Sequence, residues 1–268
     1  MLTAVAHLAI SKTGNGNVSS LLIMWTPGIA AIIATIASKR DFREFGWKLS
    51  AKWMALGWLL PILIATLAYM LIWLLQLADV PNPTFLERAR LTLGMDTQSD
   101  APVIIMAFFY ITLFNLIPAV ILGLGEELGW RGFLVPELSK WTGFKKAGWI
   151  SGIVWALWHF PGIISGGYGD SSAPLAYRIF CFSVLVVSAA IIFAWLRMKS
   201  GSIWPVAIFH ATHNGVVQAF FGRITEDSGT SAYFTGEFGL MLPLITLVLA
   251  FFIYQKADES QGAKFHLG

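Results

Sequence analysis

The sequence predicts an all-α polytopic membrane protein, with about seven to eight transmembrane helices and a polar site inside the membrane. Three observations lead to this prediction. Hydrophobic residues make up 56% of the 268 residues and charged residues only 12%, whereas soluble domains average about 25% charged residues. Apolar runs long enough to cross a bilayer recur along the chain. A few ionisable side chains lie at or beside these runs, where burial in lipid is costly.

A membrane-spanning helix needs at least about 17 mostly apolar residues. Stretches of this kind lie near 21–37, 52–78, 102–124, 147–165, 175–198, 202–221 and 238–255. The region 102–138 is ambiguous, because Pro118, Gly123 and Gly125 interrupt one continuous helical pattern. This region fits one span followed by a re-entrant or amphipathic helix, or two spans. The total is therefore seven or eight.

We expect three regions along the chain. An N-terminal region of two spans and an outer loop covers 1–100, a core domain covers 101–222, and an outer loop, the last span and a cytoplasmic tail cover 223–268. The single cysteine, Cys181, lies within an apolar run. It excludes a disulfide framework and a cysteine-based metal site.

The distribution of basic residues predicts the orientation. Alternate loops place one group of lysines and arginines on the first side: Lys39, Arg40, Arg43, Lys48, Lys52, Arg131, Lys140, Lys145, Lys146, Arg197, Lys199, Lys256 and Lys264. The other side receives Lys12, Arg88, Arg90, Arg178 and Arg223. Cytoplasmic loops carry the excess of basic residues. The amino terminus is therefore expected outside and the carboxyl terminus in the cytoplasm, in what we expect to be a bacterial cytoplasmic membrane.

The segment 125–131, Gly-Glu-Glu-Leu-Gly-Trp-Arg, directly follows an apolar run that contains no ionisable side chain. A carboxylate at membrane depth is a functional-site hypothesis, because it is costly unless it is paired or hydrated. On a helix, Glu127 and Arg131 share a face and can pair, whereas Glu126 points about 100° away. The spacing predicts one structural and one chemical carboxylate.

Histidines in two later apolar runs fall at a similar predicted depth. Glu126 is 14 residues from Lys140 and His159 is 13 residues from Lys146, which correspond to about 21 and 20 Å of uninterrupted helix. His210 is 11 residues from Lys199, or about 16 Å. We therefore expect the three side chains to cluster at a similar distance from the cytoplasmic face.

Asn214 lies one helical turn after His210, so an imidazole and an amide can face one point. His213 lies beside them without a motif of its own. Other protease signatures are missing or incomplete. The chain has no His-Glu-x-x-His sequence, and Asp170 in a Gly-x-Gly-Asp string has no second aspartate within an apolar span.

Three motifs resemble those of a known family. Glu-Glu-x-x-x-Arg at 126–131, an aromatic-x-x-x-His at 155–159 and His-x-x-x-Asn at 210–214 occur in the order typical of CPBP intramembrane proteases, also called the type II CAAX prenyl endopeptidase, Abi or lysostaphin-resistance-protein-A-like family. The Trp-Thr-Pro-Gly sequence at 25–28 is similar to that of bacterial members. Phenylalanine is commoner where Trp155 stands, a change expected to have little effect. The amino-terminal region looks short, so we expect that one helix usual in relatives is missing and that the number of spans is affected.

The resemblance implies an intramembrane endopeptidase of the glutamic type. Glu126 would activate water, His159 would help to hold it, and His210 with Asn214 would form the oxyanion hole. Glu127 and Arg131 would hold the other site residues in position. No cofactor is expected on this reading.

Two alternatives remain open. In the first, Glu126, His159 and His210 ligate zinc, with water as the fourth ligand. In the second, the protein is a non-catalytic membrane scaffold or bacteriocin-immunity protein. The expected partners are membrane lipid and a peptide or membrane-anchored protein substrate, and no nucleic acid.

Overall fold

The computed structural model describes residues 16–169 and 171–257. Within these ranges the chain is helical and forms no β-strand, apart from one isolated bridge between Asp79 and Glu226. The predicted all-α class is confirmed. Lys12, Asp170 and Lys264, which entered the sequence analysis, lie outside the described residues.

The longer helices are α1 (Gly16–Ala37), α2 (Ala51–Leu74), α3 (Pro83–Leu93), α4 (Asp100–Phe109), α5 (Leu116–Glu127), α6 (Val135–Ile164), α7 (Leu175–Ser200), α8 (Trp204–His213) and α9 (Met241–Lys256). Three π-helical segments continue α4, α5 and α8: Tyr110–Phe114, Leu128–Leu134 and Asn214–Phe221. A last turn, Gly222–Ile224, follows the third of these segments. Short 3-10 turns occupy Phe42–Phe45 and Ser231–Tyr233.

Three helical stretches among the described residues are long and apolar enough to cross a bilayer by themselves: Ala51–Leu74, Leu116–Ile164 and Leu175–Ser200. Shorter apolar helices cover Leu21–Ala37, Asp100–Phe114 and Met241–Lys256. Large apolar side chains on α1, α2, α6 and α9 are exposed, for example Ile33, Leu63, Leu157 and Phe251. An apolar exterior on helices of this length is the surface that lipid requires.

The loops collect at two opposite ends of the helices. At one end, which we call the basic face, the backbone N–H of Ile203 donates to the carbonyl of Gly46 at 2.8 Å. Arg197 Nη2 donates to the carbonyl of Glu44 at 2.9 Å. These contacts join the α1–α2 and α7–α8 connections into one surface.

At the other end, which we call the loop face, the connections after α2, α6 and the α8 extension meet. The backbone N–H of Asn82 donates to the carbonyl of Ile224 at 2.7 Å, and that of Glu226 donates to the carbonyl of Asp79 at 2.8 Å. Tyr177, in the first turn of α7, donates its hydroxyl to the carbonyl of Tyr233 at 2.5 Å.

The ambiguous region 102–138 crosses between these faces once. Asp100 pairs with Arg90 at the loop face, and Glu137 pairs with Arg40 at the basic face. The chain then reverses within α6 at Gly143, whose φ of 73° is left-handed. The described residues therefore cross seven times, through α1, α2, the α4–α5 region, α6 beyond the reversal, α7, the extended α8, and α9.

Helix α7 lies at the centre of this arrangement, and α5 carries the glutamates of the first motif. The Trp-Thr-Pro-Gly stretch of α1 packs directly against the end of α5. A Cβ added to Gly28 would lie 2.5 Å from the carbonyl oxygen of Gly125, and one added to Gly125 would lie 2.7 Å from the Trp25 ring. Glycine is therefore needed at both positions for α1 and α5 to pack this closely. The contact fixes the position of α5 directly before Glu126.

Candidate active site

Glu126 lies at the end of α5, where the α-helix passes into a π-helical segment. Its side chain lines a cavity of about 970 Å³, although the residue is only 3% exposed. The indole Nε1 of Trp155 donates a hydrogen bond to Glu126 Oε2 at 2.8 Å. π-Helical segments often occur at functional sites. The structure thus gives Glu126 one fixed donor and access to the cavity.

Glu127 points away from the cavity and is completely buried. Arg131 Nη1 contacts both of its carboxylate oxygens, at 3.0 and 3.1 Å. His210 Nδ1 lies 2.9 Å from Glu127 Oε1. The neighbouring glutamates therefore have different surroundings, because one faces the cavity and the other joins an ion cluster with an arginine and a histidine.

The Arg131 guanidinium is also completely buried, with its centre 4.3 Å from the ring centre of Trp155 and 4.6 Å from that of Phe193. A cation over an aromatic face is stabilised by the ring quadrupole. Arg131 is consequently held between the Glu127 carboxylate and two rings.

Aromatic neighbours and one backbone carbonyl hold the ring of His159 in place. His159 Nδ1 lies 3.0 Å from the carbonyl oxygen of Trp155. Since a carbonyl oxygen only accepts, Nδ1 carries the hydrogen and Nε2 remains as the acceptor of the neutral ring. The ring lies 4.7 Å from that of Trp158 and 4.9 Å from that of Phe182. His159 can therefore accept a hydrogen bond from a water in the cavity.

His210 is oriented by its contact with Glu127. Because a carboxylate accepts, the Nδ1 of His210 donates, and its Nε2 is the remaining nitrogen. Asn214 follows one turn later, where α8 passes into its π-helical extension, and both residues line the cavity. The two side chains can supply donors to one point if His210 is protonated on both nitrogens.

Trp155 links these groups. Its indole N–H binds Glu126 and its carbonyl oxygen binds His159. Its ring centre lies 5.6 Å from that of His210. The expectation that tryptophan merely replaces another aromatic residue is wrong in one respect, since phenylalanine has no N–H to offer Glu126.

Two premises of the depth argument are wrong, although the residues still meet at one cavity. The π-helical segment Leu128–Leu134 interrupts the path from Lys140 to Glu126. A turn at 201–203 separates α7 from α8, so His210 is reached from Trp204 within one short helix. Only the path from Lys146 to His159 is a single uninterrupted helix.

A second carboxylate at the cavity was not predicted from the sequence. Glu237, in the loop between the α8 extension and α9, accepts a hydrogen bond from the Tyr168 hydroxyl at 2.8 Å. Its other oxygen lies 3.1 Å from His213 Nε2 and 3.2 Å from Gln218 Nε2. Tyr168 in turn packs on His159, with ring centres 5.0 Å apart. A single glutamate in a polar loop carries no sequence signal that could have identified it.

Burial alone would raise the pKa of Glu237, but hydrogen bonds from His213, Tyr168 and Gln218 outweigh it. Together they lower the pKa of the Glu237 carboxyl from its ordinary 4.5 to about 2. The Glu237 carboxylate is therefore ionised at neutral pH. Its hydrogen bonds connect its loop to His213 on α8 and to Tyr168 in the connection after α6.

The zinc alternative assigns Glu126, His159 and His210 as ligands, and these three residues line one cavity. In the ranges 16–169 and 171–257, no three His, Cys, Asp or Glu side chains are grouped closely enough to hold a metal ion as they stand. The Nδ1 atoms of both histidines contact other protein groups, so Nε2 is the remaining nitrogen of each ring.

Comparisons with known proteins point to the family that the motifs resemble. Residues 108–216 match the family described as Rce1-like, type II CAAX prenyl endopeptidase Rce1-like. The central part of the chain is therefore similar to the type II CAAX prenyl endopeptidases. A CAAX prenyl protease 2 of Methanococcus maripaludis is 29% identical over 222 residues, which cover 76% of this chain and 74% of the relative.

The segment that matches the family model contains every site residue proposed from the sequence: Glu126, Glu127, Arg131, His159, His210 and Asn214. Trp155 also lies inside this segment, whereas Glu237 lies beyond its end. Glu237 therefore reaches the cavity from a loop outside the matched segment.

Proposed function

We propose that the protein is an intramembrane endopeptidase of the glutamic type that hydrolyses a peptide bond in a lipidated or membrane-associated peptide or protein. The observation that carries the proposal is the position of Glu126, a buried carboxylate at a cavity that is also lined by His159, His210 and Asn214. The match to the family model supports endopeptidase activity, and the relative's name supports a prenylated substrate.

In the proposed reaction, Glu126 takes a proton from water while the water oxygen bonds to the carbonyl carbon of the substrate. His159 Nε2 accepts a hydrogen bond from the other O–H of that water, which keeps this hydrogen, and so holds the water in place. The C–N bond then breaks, and Glu126 returns its proton to the departing amine. General acid–base catalysis of this type contributes about 10²–10⁴-fold.

Hydrogen-bond donors must stabilise the negative charge that develops on the carbonyl oxygen of the substrate. We assign this role to His210 Nε2 and the amide of Asn214, since each such donor is worth about 2.7–4 kcal/mol. A donating Nε2 requires His210 to carry a second proton, and its Nδ1 lies 2.9 Å from the Glu127 carboxylate. Arg131 Nη1, 3.0 Å from Glu127 Oε1, holds that carboxylate in place.

The substrate is expected to combine an apolar anchor with an extended peptide segment. The cavity lining includes Phe182, Leu185 and Phe209 beside the polar groups, and an apolar wall of this kind suits a lipid chain or an apolar side chain. Membrane lipid and the membrane-anchored substrate are the proposed partners.

The test is cleavage of an internally quenched prenylated reporter peptide by purified protein in detergent. We expect Glu126→Gln to reduce the rate about 10²–10⁴-fold, because the amide cannot take a proton from water. The matched control is Glu87→Gln, which makes the same change at an exposed site on α3 and should cleave like the wild type.

A strong chelator should leave the wild-type rate unchanged. Loss of activity on chelation would overturn the metal-free mechanism. Cleavage that survives Glu126→Gln would overturn the role of that residue, and no cleavage of prenylated or acylated reporters would favour the non-catalytic scaffold instead.

A further inference from the structure

Tyr168 packs against His159 from a stretch of chain without regular secondary structure. It lies between α6 and α7, and its ring centre is 5.0 Å from that of His159. Its backbone N–H donates to the carbonyl of Gly162 at 3.1 Å, and a Cβ added to Gly162 would lie 3.2 Å from the Tyr168 Cβ. These contacts hold the backbone of Tyr168 beside α6, whereas the direction of its ring depends on contacts of the side chain.

The Tyr168 hydroxyl has its hydrogen-bond partner in a different loop. It donates to Glu237 Oε2 at 2.8 Å. The other oxygen of this carboxylate contacts His213 on α8 and Gln218 on the α8 extension. Glu237 is only 8% exposed, and a hydrogen bond to an ionised acceptor is roughly twice as strong as one between neutral groups. Glu237 therefore holds the ring of Tyr168 in the orientation that contacts His159.

The loop that carries Glu237 also packs against a second neighbour of the His159 ring. Phe238 stacks on Phe182 of α7, with ring centres 5.6 Å apart and an interplanar angle of 27°. Phe182 itself lies 4.9 Å from the ring of His159. The loop approaches closely, since a Cβ added to Gly169 would lie 1.8 Å from the Phe238 ring. The position of Glu237 is therefore fixed by packing as well as by hydrogen bonds.

The hydrogen bond of His159 itself does not fix the plane of its ring. Nδ1 contacts one carbonyl oxygen, and carbonyl oxygens accept over a broad range of directions. The direction of Nε2 therefore depends on the side chains that pack on the ring. We propose that Glu237 is a positioning residue for His159, and that through Tyr168 it directs Nε2 toward the attacking water.

This inference rests on the proposed function for the attacking water, but not for the restraint on the ring. Glu237 lies outside 108–216, the segment that matches the family model, so the role does not follow from the three motifs. It gives the polar cluster around Glu237 a part in the reaction in addition to its contribution to stability.

Loss of the restraint should lower kcat and leave KM unchanged, because His159 contacts the water and not the peptide in the proposed reaction. A displacement of about 1 Å at a reacting group can cost about 10²-fold in rate. Tyr168→Phe keeps the ring and removes only the hydrogen bond, and Glu237→Gln leaves a weaker, neutral acceptor. We therefore expect kcat to fall about tenfold in the first variant and about threefold in the second, at a temperature at which both are folded.

A double-variant cycle in the reporter assay tests whether the effect passes through His159. Tyr168→Phe and Glu237→Gln are each combined with His159→Ala, and neither should lower the kcat of His159→Ala by more than about twofold. The matched control is Tyr110→Phe, at an exposed tyrosine that is not among the described residues lining the cavity, and it should cleave like the wild type. A wild-type kcat in both single variants would overturn the inference. A further loss of about tenfold in the His159→Ala background would also overturn it.

A second measurement needs no activity. In protein labelled with ¹⁵N-histidine, the ring signals of His159, assigned by their loss in His159→Ala, distinguish a protonated from an unprotonated nitrogen. The wild type should show one ring form, protonated on Nδ1, as the contact with a carbonyl oxygen requires. In Tyr168→Phe and Glu237→Gln we expect these signals to shift or to broaden at least about twofold, because motion of a loosened ring on the μs–ms timescale exchanges its surroundings. Identical signals in all three proteins would overturn the inference.

The two measurements separate this inference from the proposed function. Wild-type protein without Glu126-dependent cleavage, together with His159 signals that change in Tyr168→Phe, would refute the proposed function alone. Glu126-dependent cleavage with unchanged His159 signals and unchanged kcat in Tyr168→Phe and Glu237→Gln would refute this inference alone.

Discussion

Replacing either of the adjacent glutamates by glutamine makes the same chemical change at two very different places. Glu127 and Arg131 are both completely inaccessible to solvent, and Glu127 accepts two contacts from Arg131 and one from His210. Glu127→Gln removes the negative charge from this cluster and leaves the arginine without a counter-ion. The same substitution at Glu126 leaves an oxygen that can still accept from Trp155, with the amide group facing the cavity.

The expected difference in stability follows from this contrast. Removal of one partner from a buried ion pair costs about 3–5 kcal/mol. For chains of about 150–250 residues, 1 kcal/mol corresponds to about 2–4 °C in Tm, so we expect Glu127→Gln to melt about 6–20 °C below the wild type. Glu126→Gln should stay within about 3 °C, because the hydrogen bond from Trp155 is retained.

Thermal unfolding in one detergent, followed by tryptophan fluorescence, measures both variants. A double variant, Glu127→Gln with Arg131→Met, serves as the control, because removing both charges should recover part of the loss caused by removing one. Equal Tm values for the two single variants, or a double variant less stable than Glu127→Gln, would refute the division into a structural and a chemical carboxylate.

Two further predictions concern groups that the sequence did not identify. Trp155→Phe should fold and should reduce kcat about tenfold with KM unchanged. The reason is that Glu126 loses a hydrogen-bond donor, and a hydrogen bond to a charged group is worth about 1.5–3 kcal/mol. A wild-type kcat in the reporter assay would show that the indole N–H does not orient the carboxylate. The pKa of Glu237 is lowered to about 2 from an ordinary 4.5 because its ionised form is hydrogen-bonded in the folded protein. The ionised carboxylate therefore stabilises the fold above pH 4.5 by on the order of 3 kcal/mol, and this contribution is lost as the pH falls from 4.5 toward 2. Glu237→Gln should therefore lower Tm at pH 7 and show a shallower fall in Tm between pH 5 and pH 3 than the wild type, whereas parallel curves would contradict the assignment.

The local sequence was sufficient for the fold class and for the choice of candidate site residues. The length and composition of an apolar run are local properties, and the bilayer imposes helical structure on any segment that crosses it. Glu126, His159 and His210 were identifiable because polar side chains stand out in such runs. The pairing of Glu127 with Arg131 could be expected for a similar reason, since residues four apart share a helix face.

Tertiary structure alone decided the contacts between helices. The Trp155 N–H reaches Glu126 across 29 residues of sequence, and Glu237 meets His213 across 24. The single crossing of the 102–138 region depends on the reversal at Gly143, which an apolar pattern does not reveal. The position of the cavity was equally hidden, because hydrophobicity fixes how far a helix extends into the membrane, whereas packing between helices fixes where space is left between them.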